Sequence, residues 1–109
     1  MRDLNQEFSG YTGTDHYYRH MFGAYTDGVC AMAEKFEAHW LLDIVFSYGI
    51  KESFQIWEIV SKDNKAVVTM KLDSEMTDVI TQEIEFTDFP EGKMKFYLID
   101  GILMLPSEY

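Results

Sequence analysis

The sequence predicts an α+β fold: a curved, mainly antiparallel sheet packed on one main helix, with a short helix nearer the N-terminus, in a single domain over residues 1–109. Three observations lead there. Residues 36–48, FEAHWLLDIVFSY, carry helical periodicity, and everything beyond residue 53 reads as short strands with brief links. Two Asp-Gly pairs, Asp27-Gly28 and Asp100-Gly101, lie between strand-like segments and suit type I′ hairpins, which need φ > 0 at both central positions.

In the main helix, Leu41, Leu42, Ile44, Val45, Phe46 and Tyr48 cover a wide arc, leaving His39, Asp43 and Ser47 as one polar stripe at i, i+4, i+8. So wide an apolar face predicts cover on more than one side. Gly49 suits the C′ position, where a left-handed conformation closes the helix. His39 and Asp43 form an ordinary i,i+4 pair more readily than an acid–base dyad.

Ahead of it, residues 1–13 read as an irregular lead-in. Thr14 is an N-cap candidate for a helix over 15–22, with Asp15 in the first turn. Its apolar face holds Tyr17, Tyr18, Met21 and Phe22, its polar face His16, Arg19 and His20, and Gly23 closes it. His16 and His20 at i, i+4 are weak metal candidates, since neither an HExxH pattern nor a third ligand accompanies them. Neither metal nor cofactor is expected. The first Asp-Gly pair predicts a hairpin of 23–26 with 29–34, in which Cys30 is a buried structural thiol.

After the helix, FQIWEIV (54–60) is apolar on both faces, as a central strand requires. Residues 62–65 form a turn. AVVTMKL (66–72) alternates, with Ala66, Val68, Met70 and Leu72 inward, and VITQEIEF (79–86) places Ile80, Ile84 and Phe86 inward. A turn at 87–92 precedes MKFYLI (94–99), and Asp100-Gly101 leads into ILML (102–105).

Composition narrows the function classes. Seventeen aromatic residues in 109 argue for a packed core rather than disorder. No apolar run approaches the ~18 residues of a membrane span, and MRDLNQEFSG lacks the apolar stretch of a signal peptide. One cysteine excludes an intrachain disulfide framework and suits a reducing cytoplasm. A formal charge of −10 opposes nucleic acids and anionic membranes and permits a basic protein partner. Between residues 73 and 92 lie seven carboxylates, Asp73, Glu75, Asp78, Glu83, Glu85, Asp88 and Glu91, without one Lys, Arg or His. Such a run is either a solubilising face that blocks edge pairing or an acidic binding surface. P-loop, GxGxxG, GxSxG, HExxH and CxxC patterns are absent, so no catalytic residue is assigned.

The strings FSGYTGTDHYYRH, YTDGV, HWLLDIVFSY, TQEIEFTDFP and DGILMLPSEY together resemble a family of small uncharacterised proteins of bacteria, plasmids and phages, a domain of unknown function. Where that family usually has an aromatic residue before the Trp of WLLD, this chain has His39. The resemblance implies a bacterial or mobile-element origin and no activity. It points to Asp15, His16, Tyr17, Tyr18, Arg19 and His20, with Asp43, as a shared site or a packing cluster. The leading expectation is a non-enzymatic, cytoplasmic protein-interaction module, an accessory or anti-defence protein using its acidic face. The alternatives are a ligand-binding or hydrolytic domain with a pocket between helix and sheet, and a homodimer.

Overall fold

The computed structural model of the protein describes residues 1–49, 51–73 and 77–109. Among these, the chain runs through a 3₁₀ turn (Leu4–Phe8), β1 (Tyr17–His20), β2 (Gly23–Thr26), α1 (Asp27–Lys35), α2 (His39–Ser47), β3 (Phe54–Lys62), β4 (Lys65–Lys71), β5 (Ile80–Ile84), β6 (Gly92–Ile99), β7 (Ile102–Met104) and a last 3₁₀ turn (Pro106–Glu108). The seven described strands make one open sheet in the order β1-β2-β7-β6-β3-β4-β5. Every pairing is antiparallel except β2 with β7. The architecture is therefore α+β, with two described helices: the main helix α2 and, in place of the short helix expected over 15–22, α1 over Asp27–Lys35.

Alternation sets the two faces. On β3, Gln55, Trp57, Ile59 and Ser61 are buried beneath the helices, and their partners Met70, Val68 and Ala66 on β4 and Phe96 and Met94 on β6 share that face. Trp57 is the largest fully buried side chain, and its Nε1–H donates to Gln55 Oε1 at 2.9 Å, so the two buried polar groups satisfy each other. Leu41, Leu42, Val45 and Phe46 of α2 complete the core, while His39, Asp43 and Ser47 form the exposed stripe. Tyr48 caps α2 and Gly49 follows at φ +62.

Two of the tight hairpin turns have both central residues at positive φ. Asp63 and Asn64 (φ +55 and +61) join β3 to β4, and Asp100 and Gly101 (φ +49 and +82) join β6 to β7. The other Asp-Gly pair does something else. Thr26 accepts from Val29 N at 3.5 Å as the N-cap of α1, and Asp27 occupies the first turn. Residues 29–34 are helical, with Val29, Met32 and Ala33 buried at helical spacing. Cys30 is thus on a helix, half-buried, with its thiol on Glu34 Oε1 at 3.5 Å. A Cβ at Gly28 would lie 2.7 Å from Glu108 Oε1 and from Leu105 Cδ1, so any larger residue would displace those side chains.

The expected helix over 15–22 is the β1 strand and the start of the β1–β2 hairpin. Thr14 caps no helix of its own. Its Oγ1 accepts from Asp27 N at 2.9 Å and donates to His16 O, pinning the strand to the start of α1. Aromatic-rich YYRH then finds an extended partner in β2, and pairing overrides the local helical pattern. Met21 and Phe22 form no apolar helix face; they are exposed at the hairpin tip. The main helix starts three residues later than its periodicity suggests, because residues 36–38 are consumed by the α1–α2 corner. Phe86 is the remaining correction. Pairing with β4 ends at Ile84, the chain bends, and Phe86 is 74% exposed instead of inward.

Candidate functional site

The residues of the first motif divide between two carboxylates. Asp15 N donates to Asp27 Oδ2 at 2.9 Å, and His16 Nδ1 lies 3.8 Å from Asp27 Oδ1. The Asp15 amide above all, with Tyr18, Thr14 and His16, holds the Asp27 carboxyl below its ordinary range. The same carboxylate, as acceptor, pushes the Tyr18 phenol upward. Burial, then Glu34, raises the Cys30 thiol, which makes it a poor nucleophile.

His20 reaches back to α2 instead. Its ring stacks on Phe46 at 4.6 Å, its Nδ1 accepts from Phe22 N at 3.2 Å, and its Nε2 meets Asp43 Oδ1 at 2.9 Å. With Nδ1 accepting, Nε2 carries the proton given to Asp43. Both nitrogens are occupied, so this pair is a clasp between β1 and α2 rather than a general base, and His39 takes no part in it. Helical i, i+4 geometry is gone as well: four residues of extended chain span about 13 Å, too far for His16 and His20 to share an ion. Tyr17 and Arg19 are exposed on the sheet face away from the helices. A double-mutant cycle of His20→Ala with Asp43→Ala should give a coupling of about 0.5 kcal/mol, as for exposed ion pairs. Strict additivity in urea melts would remove the clasp.

The acidic run is broken up by neighbouring strands. Asp78 lies 3.8 Å from Lys71, Glu83 and Glu85 share a shallow surface hollow with Lys65, and Glu91 shares one with Arg2 and Lys62. Asp73 is exposed just after β4, and Glu75 lies outside the described residues. Asp88 differs. It borders a cleft of about 320 Å³ lined by Phe36, Glu37, Trp40, Ile84, Phe86, Thr87, Asp88 and Phe89, and no Lys, Arg or His is among those lining residues.

Local structure builds each wall of this cleft. α1 ends in a left-handed residue: Glu37 sits at φ +51, Glu37 N donates to Glu34 O, and Ala38 N donates to Ala33 O at 2.9 Å. This is a Schellman closure with glutamate where glycine is the unstrained choice. Trp40 follows in the first turn of α2, at the half-buried edge beside its apolar face. The opposite wall is the loop after β5. Asn64 O accepts from Thr87 N at 2.8 Å, Thr87 Oγ1 accepts from Phe89 N, and buried Ser61 donates to Phe89 O at 3.1 Å. Pro90 restricts Phe89 to extended backbone. Phe89 forms the floor, meeting Phe36 at 5.3 Å and 71° and Trp40 at 6.3 Å and 79°. Of these lining residues only Asp88 stands out in the sequence as a candidate; Glu37 and Trp40 are set by the α1–α2 corner, and Phe86, inward by alternation, is exposed by the bend after Ile84.

Known proteins add the fold but no activity. A crystal structure of a protein of unknown function from Enterococcus faecalis aligns at a TM-score of 0.51 and 14% identity, covering 78% of this chain and 87% of that one. No curated protein matches the chain. A family model described as a family of unknown function, DUF6876, matches residues 2–109. The chain belongs to the DUF6876 family.

Proposed function

We propose that the protein is a non-catalytic binding module that docks a basic protein at the corner between α1, α2 and the loop after β5. The observation that carries this reading is Phe86: a large aromatic side chain, 74% exposed, beside a half-buried tryptophan and between carboxylates that no lining cation offsets. A scattered exposed aromatic needs no explanation, but one placed over a preformed cleft is the anatomy of an interface anchor. The loop that bears it is tied at Thr87 and Phe89, so little ordering is required on binding. An enzyme reading receives less support, since His20 has no free nitrogen and the Cys30 thiol is pushed up.

The test is capture of basic proteins on the immobilised chain at ~0.15 M salt and again at high salt, where exposed charge pairing is screened. Retention should fall several-fold with Phe86→Ser or Asp88→Lys and persist with Glu83→Lys, a residue of a different hollow that also contains Lys65. Equal retention by all three variants would sink the proposal. The captured protein's identity then separates an accessory from an anti-defence role.

A further inference from the structure

We infer that the cleft receives an arginine side chain of that partner, its guanidinium against the exposed Phe86 ring and within reach of Glu37 and Asp88; this rests on the reading above. Four aromatic side chains, Phe36, Trp40, Phe86 and Phe89, line one small opening together with two carboxylates. The Phe36 and Trp40 rings each pack edge-to-face with Phe89, so the lining of the cleft is a fixed aromatic cluster that needs no ordering on binding. Ring faces attract cations, and a planar, weakly hydrated guanidinium stacks on them while its N–H groups fork to carboxylate. The protein already uses this chemistry next door, where Lys35 Nζ sits 5.9 Å from the Phe36 centroid and 5.7 Å from that of Phe8. An open cleft favours arginine over lysine, because a compact ammonium keeps its water at a half-wet site.

Glu37 sharpens the argument. Its left-handed backbone is paid for by the fold, and glycine there would close α1 without strain. A glutamate at such a position puts a carboxylate beside the aromatic cleft where the backbone alone would take glycine.

The experiment uses the full chain and capped five-residue peptides with a central arginine, lysine or neutral citrulline in a glycine background, followed by the indole N–H resonance of Trp40. Trp57, fully buried and bonded to Gln55, is the internal control. The arginine peptide should shift Trp40 saturably and leave Trp57 unmoved, with lysine binding at least about threefold weaker and citrulline at least about tenfold weaker. Glu37→Gly should raise the Tm by about 4 °C yet weaken arginine binding about fivefold, which separates ligand binding from folding. Citrulline binding as well as arginine, lysine binding equally, or an unmoved Trp40 overturns the inference. If basic proteins are still captured in an Asp88-dependent way while Trp40 ignores the arginine peptide, only this inference falls; if capture is also absent, the docking reading falls with it.

Discussion

Gly23→Ala is expected to destabilise the fold by about 3 kcal/mol, a large part of the ~5–15 kcal/mol that holds a domain together. The reason is space, since Gly23 has no positive φ. A Cβ there would run into the Phe46 ring and lie 2.6 Å from the carbonyl oxygen of Gly101. Neither can yield cheaply: Phe46 is buried and stacked on His20, and the Gly101 carbonyl accepts from Ala24 N at 3.0 Å. Gly23 is also the register partner of His20, so the Phe46 ring lies over the β1–β2 hairpin only because this position has no side chain. Thermal melts should show a drop in Tm on the order of 15 °C. Gly10→Ala and Gly13→Ala are the controls, with open space around both and ordinary φ, and should be neutral or slightly stabilising. A Gly23→Ala protein that melts with the controls would show that β2 and β7 can part without cost.

Glu108→Ala should cost nearly as much, about 2–4 kcal/mol, although the residue is one from the end of the chain. Its carboxylate accepts three bonds at once: from Thr26 Oγ1 at 2.6 Å, Leu105 N at 3.0 Å and Gly28 N at 3.1 Å. Removing it orphans a hydroxyl and two amides, including one at the start of α1, where a negative charge is favoured. Glu108→Gln should recover only about half of the loss, because the amide NH₂ must face one of the three donors. Urea denaturation of the three proteins decides it. A Glu108→Ala midpoint matching wild type would mean that water replaces the carboxylate freely.

The two Asp-Gly pairs show where local reading succeeds and where it ends. Asp100-Gly101 turns β6 into β7 with both residues at positive φ. Asp27-Gly28 has the same two letters and opens a helix, because Thr26 precedes it as an N-cap and the Glu108 carboxylate arrives from 80 residues away to meet Gly28 N. Residues 15–22 failed for a similar reason: their apolar spacing fits a helix, but Asp27 and β2 offer Thr14, Asp15 and Tyr17 extended partners no local rule can see.

What the sequence by itself determined is what period and burial determine. The strands from residue 54 onward, the central place of β3, the polar stripe of α2 and the left-handed Gly49 follow from hydrophobic alternation and backbone sterics, which act over a few residues. Tertiary structure alone decided the rest: that the sheet would bring Lys71 near Asp78 and put Lys65 in one hollow with Glu83 and Glu85, that His20 would clasp Asp43, and that an exposed Phe86 would share a cleft with Trp40 and Glu37. Charge along a chain is one-dimensional, whereas the field at a surface is set by whichever strands the sheet order makes neighbours.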